Sequence, residues 1–129
     1  MALDVRIGIN PISWSNDDLP SLGGEIPLDT ALREGAAIGY AGFELGNKFP
    51  RESKALAAVL AAHGLELVSG WYSGRLARRS VAEEIAAAAS HLKLLADNGA
   101  TVRVYGEVGD SIQGAPQPLY KRPRFVTDV

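Results

Sequence analysis

Asn10, Trp14, Glu44, Lys48, Trp71, Tyr72 and Glu107 are the residues whose types and positions could do chemistry together. Each follows or closes a short apolar run. Val5 to Ile9 runs into Asn10-Pro11-Ile12-Ser13-Trp14, and Gly42-Phe43-Glu44-Leu45 into Gly46-Asn47-Lys48-Phe49-Pro50. Leu65 to Val68 runs into Ser69-Gly70-Trp71-Tyr72-Ser73, and Thr101 to Tyr105 into Gly106-Glu107. Aromatic walls with an amide, two carboxylates and one lysine suit a polyhydroxylated ring. The C–H faces of such a ring stack on aromatics, and its hydroxyls need paired donors and acceptors.

The elements that must position these residues are parallel β/α units, with function written at one rim of the sheet. Val5 to Ile9 reads as the first strand. The Pro-, Gly-, Ser- and Asp-rich stretch from Asn10 to Pro27 is far longer than the ~2–6 residues usual after a strand, which predicts a lid or substrate loop. A first helix starts near Leu28 and stops at Gly39. A second strand spans Gly42 to Leu45, a second helix about Arg51 to His63, and a third strand Leu65 to Ser69. Ser80-Val81-Ala82-Glu83 is a capping box opening a third helix, whose stripe Val81, Ile85, Ala88, Leu92 and Leu95 is expected to be buried. Asn98-Gly99 ends it before a fourth strand, Thr101 to Tyr105. Val108 to Val129 reads as a long loop.

The bulk properties set limits. With 129 residues, 47% of them hydrophobic, the chain is long enough for one domain with a core. Its net charge of -2 creates no field favouring nucleic acid or an acidic membrane. Cysteine is absent, which excludes disulfides and thiol nucleophiles and suits a reducing, cytoplasmic setting. Met1-Ala2-Leu3-Asp4 does not open a signal peptide, and no stretch is apolar enough to cross a bilayer. There is no glycine-rich phosphate fingerprint, no P-loop, no Gly-x-Ser-x-Gly and no compact metal spacing.

Each candidate also has a plainer reading. Trp14 and Trp71 could fill space between helix and sheet. Glu44 lies in an apolar strand, so it must be at the rim or paired. Lys48 could be a solvated loop lysine. His63 sits at a helix C-terminus, where its charge is favourable without any function, and His91 reads as surface. Lys121-Arg122-Pro123-Arg124 is a small basic cluster whose default is a solvated loop.

At the rim segments the chain resembles a known family. Ile9-Asn10-Pro11-Ile12-Ser13-Trp14-Ser15-Asn16-Asp17-Asp18 with Leu22-Gly23-Gly24 resembles the N-terminal motif of inosose (2-keto-myo-inositol) dehydratases. Phe43 to Pro50 and Leu67 to Ser73 are similar to that family's second- and third-strand motifs, and Pro118 to Pro123 to a segment after the fourth. The resemblance implies a xylose-isomerase-like TIM (β/α)8 barrel and a lyase of inositol catabolism. It also implies a divalent metal, manganese or cobalt, and glutathione dependence. A barrel of this kind takes roughly 250 residues. Residues 1–129 are therefore expected to form a single domain, about half a barrel, with the metal ligands outside it and no dehydratase activity of its own. The exposed edges of such a half predict a homo-oligomer.

The implied reaction removes a proton next to a ring ketone and expels a β-hydroxyl through an enediolate. On that chemistry Lys48 takes an electrostatic or proton-transfer role, and Glu44 orients Lys48 or binds hydroxyls. Glu107 helps orient Lys48 or holds hydroxyls, and Asn10, Trp14, Trp71 and Tyr72 shape the pocket around a cyclic polyol ketone. A sugar epimerase or isomerase on the same barrel shares the enediolate step. A half-barrel that binds a polyol without turning it over is the non-catalytic alternative.

Overall fold

The structure, a computed structural model, describes residues 5–112 and 115–121. Of the basic cluster, only Lys121 falls within the described residues; Arg122 to Arg124 lie outside them, as does Met1 to Asp4.

Four strands pair side by side in sequence order, β1 (Gly8–Ile9), β2 (Gly42–Leu45), β3 (Glu66–Gly74) and β4 (Val102–Glu107), all parallel, in a curled half-barrel sheet. Helices α1 (Leu28–Ile38), α2 (Ser53–Ala61) and α3 (Val81–Asp97) provide the crossovers. The first helix and second strand fall where the residue pattern places them, and Gly39 ends α1 in the left-handed region at φ 100°. The second helix is shorter than expected, because the Glu52 carboxylate caps it by accepting from Lys54 N (3.0 Å) and Ala55 N (2.8 Å). The capping box at Ser80 and Glu83 opens α3 as expected.

Three strands depart from their apolar runs. Of these, β4 starts at Val102 and runs on to Glu107 rather than ending at Tyr105. Val5 to Ile7 are not in β1, because the neighbouring strand begins only at Gly42, opposite Gly8. Beyond that point the chain is held by Ala41 N to Ile7 O at 2.8 Å and by the exposed Arg6 Nη1 to Glu66 Oε2 pair at 2.6 Å, and Val5 and Ile7 are exposed. The third strand instead runs on through Trp71, Tyr72 and Ser73. A long partner is available there, with Ser69 opposite Val102 and Gly74 opposite Glu107, and aromatic residues suit a pleated surface. Trp71 and Tyr72 therefore lie within a strand rather than in the loop after it.

The helices cover one face of the sheet. Phe43, Leu32 and Leu56 are fully buried there, joined by Leu45, Phe49, Leu60, Leu67 and Leu95. The Phe43 ring meets Trp14 at 5.5 Å and Phe49 at 6.1 Å between centroids. It also lies so close to α1 that a Cβ on Gly35 would stand 2.5 Å from it, so only glycine fits.

The stripe expected on α3 is half right. Ala88 and Leu95 are buried, but Val81 and Ile85 are each 64% exposed and Leu92 is 40% exposed. The buried face is instead Glu84, Ala88, Leu94 and Leu95. Glu84 turns the helix this way by accepting from Arg79 Nη1 at 3.1 Å, Arg75 N at 3.1 Å and the Tyr105 hydroxyl at 3.3 Å. A buried carboxylate with this many donors is tolerated, and an apolar pattern cannot reveal it.

Between β2 and β3 the register shifts. Phe43 faces Leu67 but Glu44 faces Ser69, so Val68 is an extra residue in the third strand. Its methyls sit where Cβ atoms on Gly8 and Gly42 would come within 2.8 Å.

Candidate functional site

The face of the sheet turned away from the helices holds the compact polar group. Phe43 and Leu45 point to the helices, so Glu44 between them points to the other, inner face. Its Oε1 accepts from Asn10 Nδ2 at 2.5 Å, and its Oε2 accepts from Ser69 Oγ at 2.7 Å. Three adjacent strands are thus tied through one carboxylate. Asn10 is fixed from its other end as well: its Oδ1 accepts from Ile12 N at 2.9 Å and caps the 3-10 turn Pro11–Ser13. The result is a carboxylate, an amide and a hydroxyl with little freedom of position, at a rim open to solvent. Glu44 is paired, as its place in an apolar strand requires. Ser69 is the member of this group that the sequence reading did not select. Its position one strand over from Glu44 was available only once the shifted register was known.

Alternation along β3 then separates two aromatic neighbours. Gly70 faces α3, since a Cβ there would meet Leu95 at 2.8 Å. Trp71 therefore shares the inner face with Glu44 and Ser69. It is 45% exposed, its Nε1 donates to Ser73 Oγ at 3.0 Å, and its ring covers Gly106. Tyr72 turns to the helix side, with its ring 5.5 Å from His91 and 6.0 Å from Tyr105, and the Arg103 guanidinium lies over it at 5.8 Å.

Glu107 is also on the helix side. Its carboxylate takes Gly109 N at 2.6 Å, Ala77 N at 3.2 Å and the Tyr105 hydroxyl at 3.3 Å. Burial raises its pKa, but these donors outweigh that and hold it below the usual carboxylate range. The Tyr105 hydroxyl is pushed up, chiefly by burial and further by the charges of Glu84 and Glu107. This network joins the loop after β3 to the loop after β4.

Trp14 lies on the helix side too. Its ring packs on Phe43, and Nε1 donates to Glu34 Oε2 at 2.7 Å. Lys48 is half-buried, and its ammonium donates to the carbonyls of Gly23 (2.9 Å), Gly24 (3.0 Å) and Ile26. The structure therefore brings Asn10 and Glu44 together and sets Trp71 on their face. Tyr72 and Glu107 lie on the opposite face, and Trp14 and Lys48 beside the first loop. The expected convergence of all seven on one cavity does not occur.

The residues do not fit the divalent metal that the family resemblance implies. Among the described residues no group of three or more His, Asp or Glu side chains could hold an ion.

His91, read from sequence as surface, is half-buried over Gly70, and its Nε2 has no hydrogen-bond partner. Desolvation lowers its pKa, partly opposed by the Gly70 backbone, and the positive charges of Arg51 and Arg103 lower it further. The folded state thus binds this proton less readily than the unfolded chain. Stability is full above the ordinary histidine value of about 6.5 and is lost as the pH falls from there through the lower pKa of the folded state. Thermal melts of the chain and of His91→Phe between about pH 8 and pH 5 test this. The wild-type melting temperature should fall more steeply below about pH 6.5 than that of the variant. Parallel curves would remove His91 as the cause.

No family model matches the chain. It is 50% identical over 124 residues to the rhizopine catabolism protein MocC of Rhizobium meliloti, covering 95% of this chain and 38% of that protein. It is 42% identical over 126 residues to the inosose dehydratase of Geobacillus thermodenitrificans, covering 96% of this chain and 42% of that protein. With the inosose dehydratase of Mesomycoplasma hyopneumoniae strain 7448 the identity is 40% over 125 residues, covering 97% and 41%. The chain spans about two-fifths of the length of these curated relatives. It is a homologue, along nearly all of its own length, of the N-terminal part of proteins named inosose dehydratase and MocC.

Proposed function

We propose that this chain supplies the polyol-holding part of a lyase that removes water from 2-keto-myo-inositol. The observation that carries the reading is the Asn10–Glu44–Ser69 group, three polar side chains tied together at the rim of a parallel sheet. The names of the relatives support it. A carboxylate offers about four lone-pair positions, so Glu44 retains acceptor capacity for a ring hydroxyl while holding Asn10 and Ser69. The indole of Trp71, on the same face, offers an apolar plane for the ring's C–H groups. Bonds within the group set the direction in which Glu44 accepts before a ligand arrives, so less ordering is lost on binding.

Among the described residues, Glu44 is the group placed to hold or move a proton at a hydroxyl next to the ketone. Manganese or cobalt and glutathione belong to the same reading only through the family resemblance. Nor does the described part assemble a full set for turnover. The reading is therefore ligand binding by this chain, with dehydration in the longer polypeptide of which it matches the start. The setting is the cytoplasm; no helix among the described residues is long and apolar enough to cross a membrane. Among the described residues β4 pairs only with β3, and Val81, Ile85 and Val102 are exposed apolar side chains, which favours association with further protein surface.

Calorimetric titration of the chain with 2-keto-myo-inositol tests the reading. Saturable heat is expected, absent with a linear polyol of the same carbon number. Equal heats for the two, or none for either, would overturn it. Product analysis of the longer enzyme separates a dehydrated product from an isomer of unchanged mass, the mark of an epimerase or isomerase.

A further inference from the structure

The loop from Asn10 to Pro27 is held at three points along the sheet end. At its start, Asn10 is bound to Glu44. In its middle, Asp17 Oδ2 accepts from Asn47 N at 3.1 Å, and Asp17 O accepts from Asn47 Nδ2 at 3.4 Å. At its end, the carbonyls of Gly23, Gly24 and Ile26 converge on the one ammonium of Lys48. Asn47 and Lys48 are consecutive residues of the turn that follows β2, the strand that carries Glu44. Beyond the buried Pro11 and the Trp14 ring on Phe43 the loop is mostly exposed, and its Leu19 and Leu22 are 56% and 59% exposed, so its later part has little apolar burial of its own to hold it. Polar fastening has to supply what a core does not.

The arrangement at Lys48 is specific. An ammonium has three donors in a tripod, and here each finds a backbone carbonyl. No donor remains for a substrate. Gly23 contributes to the shape of the cradle: at φ 72°, with the Trp14 carbonyl oxygen 1.9 Å from where a Cβ would stand, only glycine brings its carbonyl round to Lys48. Three converging carbonyls with one positive charge at their centre also describe a site for a small ammonium ion, with the side chain serving as tether.

We infer that Lys48 is a positioning residue: its ammonium is the fastener that sets the Asn10–Pro27 loop against the rim carrying Glu44, and it does not itself touch the substrate. The inference rests on the polyol reading only for the identity of the ligand whose binding the loop affects. Arginine cannot take its place, because a planar fork does not match a tripod of carbonyls.

Lys48→Met keeps the bulk and loses the donors, while Lys48→Ala opens the cradle. Hydrogen exchange on the chain reads the loop directly through the bonded amides of Asn16, Leu22 and Ile26. Both variants should exchange there about tenfold faster, with the amides of α2 and β3 unchanged, which also shows that the variants fold. Propylammonium replaces the atoms that Lys48→Ala removes. At millimolar concentration it should restore protection to that variant, whereas tetramethylammonium, which has no N–H, should not. Inosose affinity should fall in both variants and return with propylammonium in Lys48→Ala. Unchanged loop exchange, or rescue by tetramethylammonium, overturns the fastener. Loosened exchange with unchanged inosose affinity overturns its positioning role. A wild-type chain that binds no inosose refutes the polyol reading alone, and exchange and rescue then decide the fastener.

Discussion

Phe43→Ala is expected to cost about 3–5 kcal/mol of folding stability, a large share of the ~5–15 kcal/mol of a typical domain. The ring is fully buried, and it is the point where three parts of the chain meet. Trp14 brings in the first loop, Phe49 the turn after β2, and Gly35 the close approach of α1. Gly35, where α1 comes closest, has no side chain to fill the space left by the ring, so the cavity should collapse poorly. Denaturant unfolding of the chain and the variant measures the difference. A loss below about 1 kcal/mol would mean that the loop and helix repack, and that Phe43 is not the junction described here.

The second large effect is at Glu44. Glu44→Ala should lower inosose affinity about 10- to 100-fold, equivalent to ~1.4–2.8 kcal/mol, with a much smaller change in stability. The unequal split follows from position. Asn10 is exposed and can turn to water once the carboxylate is gone, so little folding energy is lost. The ligand loses its charged acceptor and the preset placement of Asn10 and Ser69 together. Glu44→Gln should also bind weakly. Its amide can keep both bonds, the oxygen accepting from Asn10 Nδ2 and the N–H donating to the Ser69 hydroxyl, but the charge that strengthens a bond to a ring hydroxyl is gone. Titration of the three proteins, with melting temperatures alongside, checks both halves of the expectation. Normal affinity in Glu44→Ala would move the ligand to another place.

How far the sequence could be read depended on which interaction decides each feature. Local chemistry decides the extent of α1 with its Gly39 stop, β2, and the capping box of α3, and these were legible. Partner length decides how far a strand runs, and no single segment records it. The ends of β1 and β3 were therefore misplaced, the first too long and the second too short. The consequence reaches the site. With Trp71 and Tyr72 placed beyond a strand, both were free to face one pocket. Within a strand, successive side chains take opposite faces, and Tyr72 goes to His91. The same rule puts Glu107 with Tyr105 on the helix side. Lys48 was visible as a lysine near the rim, but its partners are carbonyls more than twenty residues away, which residue types do not encode. Glu84 was hidden for a related reason: a buried carboxylate looks like a surface one until its donors are known.

The extra residue in β3 gives the site a floor. Gly8 and Gly42 have no side chains on the inner face, and the methyls of Val68 occupy the space above them, one layer below Glu44. On the polyol reading, an aliphatic bulge limits how deep a ring sinks, while polar residues one layer higher hold its hydroxyls. Val68→Ala is then expected to admit a bulkier ring, and the backbone of the bulge still sets Glu44 opposite Ser69.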